Sequence, residues 1–411
     1  CVLDENTIPG SQTLVTTTSG GPLADGDMVM IGHSPPVTTL SSGISASDTT
    51  IPVVSTTNFP SAGICLIDSE YMSYRATTAT SITVRATTGR ARLGSTAASH
   101  SSGAKVTLFN AGHWAMARNT CHVPVELNYL QAAPRDLSSG KWSMLLRHSV
   151  DRIFSSTLGG WLKKITPVKN VGLENVTLIG STSQGRGGGQ EVGYEARYVD
   201  GIDVRGCYIV NCSDAHGLLD TCANGRIEQK MYGKANDSTY DGHYGVSLVN
   251  GNHWIDIVDP VGRNIFKPVT LWASGVATAG VASTYWYGFP RHITISGARA
   301  WNAGTPWDNS HDFGPEVHTW GENITITDTG GADGSGGLST EGGKNITFRG
   351  GRLSRWGRSA IAVDGCVAVL GFKVEGVDIG ERSFYAAGTK LASGINAAVT
   401  TMEFTTGNWI T

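Results

Sequence analysis

NITITD at 323–328 returns as NITFRG at 345–350, and a looser relative, CVAVLG, follows at 366–371. Each sets apolar side chains two apart, the period of a strand with one buried face. The alternation starts at Ile324, Ile346 and Val367, so the gaps are 346 − 324 = 22 and 367 − 346 = 21 residues. No helical period lies between them. A short strand recurring at this interval predicts the coils of a parallel β-helix, in which one coil holds about three strands and buries its apolar face only by stacking on the next. The same pattern occurs upstream as NVTLIG (175–180), GIDVRG (201–206), HWIDIV (253–258) and HITISG (292–297). Its gaps there are longer and uneven, as lateral loop insertions would make them. A leucine-rich repeat would need its Leu-x-x-Leu-x-Leu frame, which is missing. A β-sandwich would need hairpin turns at closer spacing.

Asn175, Asn323 and Asn345 each open an Asn-x-Thr sequon. Glycosylation is one reading. The other, which the repeat favours, is that all three occupy one register ahead of a strand, where a coil corner needs left-handed backbone that Asn tolerates.

Composition agrees with an all-β chain. Of 411 residues 54 are Gly, and only 16 % are charged, while 40 % are hydrophobic, enough for a core. A net charge of −3 gives no general attraction to nucleic acid. No run of 18 apolar residues predicts a membrane-spanning helix. The opening CVLDENTIPG lacks a basic region followed by an apolar stretch, so no signal peptide is expected. Seven cysteines include no CxxC pair; Cys207, Cys212 and Cys222 read as buried thiols, with a metal or disulfide cluster as the alternative.

Four segments are expected. Residues 1–37 hold an N-terminal segment and, in PLADGDMVMIG (22–32), a first β-helix strand; 38–109 a small inserted β-module rich in Thr, Ser and Ala; 110–387 the β-helix; and 388–411 the start of a second module. The last rests on LASGINAAVTTMEF (391–404), which matches LSSGISASDTTIPV (40–53) at seven of fourteen positions, and it predicts that the native chain continues.

TTIPVVSTTNFPSAGICLIDSEYMSY with the later GRARLGSTAASHSSGAKV resembles a small β-module of bacteriophage virion and tail proteins. The region from about 110 to 385 resembles the right-handed parallel β-helix of phage tailspikes and pectate-lyase-like proteins. This resemblance implies a homotrimer on the phage tail, made in the host cytoplasm, that contacts other virion tail proteins, binds bacterial surface polysaccharide and often cleaves it. Fold alone does not establish activity. No cofactor, metal, nucleic acid or membrane insertion is expected.

Glycoside hydrolysis needs two carboxyl groups, roughly 5–5.5 Å apart for retention and 6.5–9.5 Å for inversion. Three places offer an acid two residues before a His: Asp214/His216, Asp241/His243 and Glu316/His318. In extended backbone such a pair shares a face. The expected catalytic carboxylates are Asp241, Asp312, Glu316 and Glu341, the last placed one coil after Glu316. His243 and His318 would orient or bind, and Trp286, Trp307 and Trp320 would stack on sugar rings. A lyase, and an adhesin that binds without cleaving, remain open alternatives.

Overall fold

The isoleucines of the repeat stack in register. The computed structural model describes residues 1–411 apart from 20, 60, 62, 87–88, 93–94, 112–124, 152, 181–191, 213, 234–243, 266, 273–287, 302–313, 319–320, 341, 364–368, 381–400 and 405–411. In it His253–Val258, Arg291–Ser296, Glu322–Thr327, Gly343–Arg349 and Val369–Glu375 pair in parallel, in that order. Ile255, Ile293, Ile324 and Ile346 occupy one column and Ile257, Ile295, Ile326 and Phe348 the next, all fully buried. Each such side chain contributes about 1.5–3 kcal/mol by leaving water. Upstream, the column continues through Ile202 and Val171.

Three strand columns complete each coil and enclose one core running from Ala196 to Phe372. The second column includes Val261–Arg263 and Arg299–Trp301; the third includes Ala215–Asp220, Tyr244–Val249, Lys267–Trp272 and Glu316–Val317. The coil interval varies: 293 − 255 = 38, 324 − 293 = 31, 346 − 324 = 22 and 372 − 346 = 26. The last value corrects the expected spacing. Phe372, not Val367, is in register with Ile346. Both lie in alternating apolar runs, and only the pairing distinguishes them.

Left-handed residues turn the corners. One column of them runs Asn170, Gly201, Asn224, Trp254, His292, Asn323, Asn345 and Gly371, with φ between 53° and 85°. Gly and Asn visit this region readily, whereas other side chains pay about 1–2 kcal/mol. The Asn345 amide donates to Asn323 Oδ1 at 2.8 Å, tying neighbouring coils. Asn175 (φ 55°) belongs to a different corner, after Val168–Glu174, shared with Gly206, Asp259 and Gly297. A Cβ on Gly297 would stand 1.8 Å from Asp259 Oδ1, so any larger residue there would displace the Asp259 side chain. The three sequon asparagines therefore all turn corners, but at two positions in the coil rather than one.

The parallel coils begin at Val168. Two compact units lie within Cys1–Thr166 and within Pro167–Ala273 with Phe289–Thr411. Met28–Gly32, read from sequence as a first β-helix strand, instead pairs antiparallel with Val125–Tyr129 and Trp161–Lys164. Thr13–Thr16, Trp142–Leu145 and Arg135–Asp136 form a second antiparallel sheet. Residues 125–164, expected in the β-helix, thus belong to the first unit. Apolar alternation specifies a strand but not the direction of its partner.

Within the first unit Val37–Thr39, Lys105–Ala111, Gly63–Ile67, Glu70–Thr77, Ser81–Val84 and Thr50–Pro52 form a six-stranded antiparallel sheet with its own core. A buried carboxylate, Glu70, organises the GRARLGSTAASHSSGA segment. Arg90 donates to both Glu70 oxygens at 2.7 and 2.8 Å, the Ala91 and Ala98 amides donate at 3.1 and 3.0 Å, and His100 lies 3.0 Å away, bridging to Asp68 at 2.7 Å. Burial alone would raise the Glu70 pKa, but these partners, led by Arg90, hold it at about 2. Of the 388–411 segment only Thr401–Phe404 is described, pairing antiparallel with Val369–Glu375.

Candidate functional site

Glu316 and His318 meet as their spacing predicts, with His318 Nδ1 3.0 Å from Glu316 Oε2. The setting differs from an open sugar site. Val317 joins the core, so the neighbouring Glu316 points away from it, yet Glu316 is only 4 % exposed. Lys267, also buried, donates to the same Oε2, and Thr270 Oγ1 stands 3.5 Å from it. In register on successive coils lie Ser247, Thr270, Glu316 and Ser339, all buried. Trp272 Nε1 donates to Ser247 Oγ at 2.9 Å.

Burial would raise the Glu316 carboxyl, but the charges of Lys267 and then His318 outweigh it and hold its pKa at about 2. Glu316 is therefore an anion throughout the physiological range and carries no proton to donate. His318 is the most accessible member of the triad, with 22 % of its side chain exposed. Ser339 is the residue in register with Glu316 one coil on. Glu341, Asp241, His243, Asp312, Trp286, Trp307 and Trp320 lie outside the described residues. His216 is a core histidine: it is buried, with ring nitrogens 2.7 and 3.3 Å from the Tyr244 and Tyr232 carbonyls. Cys207, Cys212 and Cys222 are buried free thiols, and Cys207 and Cys222 point at backbone carbonyls.

A second place, which sequence reading passed over, is open. An exposed cavity of about 600 Å³ runs over the outer side of the first strand column. One wall is the left-handed corner, here Trp254, His292, Asn323 and Asn345; the floor is Asp256, Thr294, Thr325 and Thr347, in register on four successive coils. Trp254 and His292 occupy positions given to Asn or Gly on every other rung of the corner, at φ 55° and 53°. Their rings stack, with centroids 6.1 Å apart and planes 12° from parallel. Two bulky residues thus hold a strained backbone at the cavity wall, and such strain concentrates at ligand sites. Aligning HWIDIV and HITISG with NITITD would have revealed them, since Trp254 and His292 fall in the Asn column.

The site offers an aromatic platform, hydroxyl and amide groups at regular intervals, and one carboxylate. Among the described residues no cluster of three His, Cys, Asp or Glu side chains is placed to hold a metal ion. No helix among them is long and apolar enough to cross a membrane.

No protein-family model and no curated protein matches the chain. Among solved structures it is similar to the tailspike gp61 of Pseudomonas phage phi297, at 11 % identity and a TM-score of 0.42, over 93 % of this chain and 56 % of that one. It is also similar to the tailspike gp49 of Pseudomonas phage LKA1, at 12 % identity and a TM-score of 0.36, over 88 % and 60 %. A third is the Gp54 tailspike of Acinetobacter baumannii bacteriophage AP22, solved in complex with A. baumannii capsular saccharide, at 11 % identity and a TM-score of 0.33, over 85 % and 57 %. The chain spans less than two thirds of each of these proteins.

Proposed function

We propose that this chain is part of a bacteriophage tailspike that binds a bacterial surface polysaccharide along the outer side of its first strand column. The observation that carries this reading is the Trp254–His292 stack, held in left-handed backbone beside an open cavity. Stacked rings present area to the C–H faces of sugars at little entropic cost. The cavity volume falls within the range of ligand sites. The virion tail, a homotrimer and contacts with other tail proteins follow from the sequence resemblance and belong to the same proposal.

Cleavage of the bound glycan by hydrolysis extends it. With Glu316 held as an anion, the proton donor of this reading is Asp241, Asp312 or Glu341. Binding without cleavage is the second reading, favoured by the burial of Glu316.

The test uses the whole chain and purified polysaccharides from bacterial surfaces. Trp254→Ala is expected to weaken binding at least about tenfold, the loss of one stacking contact. Unchanged binding in this variant would remove the cavity from the reading. New reducing ends without an unsaturated product indicate hydrolysis, an unsaturated product indicates a lyase, and retention of intact glycan indicates the adhesin.

A further inference from the structure

We infer that the glycan section lying in this cavity is uncharged, built of neutral hexose or N-acetylhexosamine units. The inference rests on the binding reading above and adds its substrate class. Between Asp256 and the far end, the floor is Thr294, Thr325 and Thr347, and the wall beside them ends in Asn323 and Asn345. These groups donate and accept hydrogen bonds but carry no charge. Four coils at the strand spacing give a tract of roughly 14 Å. Among the described residues no Lys or Arg lines the cavity, and the one fixed charge among them, Asp256, is negative. His292, on the wall, is stacked on Trp254.

The cations just beyond each end have carboxylate partners, one for Arg226 and one shared by Lys373 and Arg349. Arg226, in register with Asp256, lies 3.5 Å from Glu228. At the other end Lys373, in register with Thr347, pairs with Glu375 at 2.5 Å, and Arg349 pairs with the same carboxylate at 2.7 Å. A uronate, sialate or phosphate over the middle of the threonine tract would lose its hydration and meet hydroxyl groups but, among the described residues, no lining Lys or Arg, an unfavourable exchange. Hydroxyl and acetamido groups meet matching partners on every rung.

An array of purified bacterial surface polysaccharides, sorted into neutral and anionic polymers, tests this. The whole chain is expected to retain neutral members, with less than about a twofold change in affinity between low and high salt, since no exposed ion pair is made. Trp254→Asn, which restores the residue type of the corner and so preserves folding, is expected to reduce retention at least about tenfold. Retention of anionic members alone, lost in high salt and sensitive to Trp254→Asn, would overturn the charge inference and leave the cavity as the binding site. Retention insensitive to Trp254→Asn, or no retention of any member, would overturn the cavity reading and the inference together.

Discussion

Glu70 and Glu316 pose the same problem at the scale of one residue: a carboxylate inside a β-structure, kept ionised by its partners. Glu70 has Arg90, two backbone amides and His100; Glu316 has Lys267 and His318. Removing one side of such a pair leaves the other charge buried, at about 3–5 kcal/mol. Glu316→Gln is therefore expected to destabilise the second unit by that amount in urea titrations. The double variant Lys267→Met, Glu316→Leu should recover most of it, because apolar replacement of the whole pair is close to neutral. Glu70 makes a prediction in pH. Its folded pKa of about 2 lies below its ordinary 4.5. Its contribution is complete above about pH 4.5 and is lost as pH falls toward 2, by an amount on the order of 3 kcal/mol. Melts of the wild type between pH 5 and 2 should steepen relative to Glu70→Gln, and parallel curves would contradict the assignment.

At the scale of the coil, one column holds both the residues that suit the left-handed corner and the two proposed to bind the glycan. Asn323 and Asn345 suit the left-handed corner; Trp254 and His292 do not. Asn345→Ala is expected to destabilise by about 1–2 kcal/mol through backbone strain and the lost amide bond to Asn323, while Asn345→Gly loses much less. Trp254→Asn and His292→Asn are expected to retain or raise the melting temperature, since relief of strain offsets the lost stack of roughly 0.5–1.5 kcal/mol. If both variants melt well below the wild type, the aromatic pair serves packing rather than a ligand.

The whole molecule carries separate apolar cores, and two buried thiols report on two of them. Cys65 lies in the core of the six-stranded sheet and Cys222 in that of the β-helix. Burial pushes their pKa values up, to about 12 and about 11. Neither is expected to react with an alkylating reagent in the native protein at neutral pH. As urea rises, peptide-resolved mass spectrometry should show each labelled when its own unit opens, which gives the order in which the units unfold. Labelling of either before any loss of structure would contradict its burial.

The period-2 apolar runs, the recurring interval and the asparagines at the corners were enough to specify a parallel β-helix from sequence. These are local signals: alternation decides which face of a strand is buried, and Asn marks where the chain turns left-handed. The pairing of Glu316 with His318 was legible for the same reason, because two residues apart on a strand means one face. Strand partners depend on contacts far along the chain, so sequence could not decide them. Folding placed Met28–Gly32 and residues 125–164 in antiparallel sheets, put Phe372 rather than Val367 above Ile346, and brought Lys267 against Glu316 from 49 residues away. That last contact holds one of the expected catalytic carboxylates as an anion. The same stacking gathered Trp254, His292, Asn323 and Asn345 from four coils into one wall. A binding surface on a solenoid is an addition across coils, and only register makes the sum.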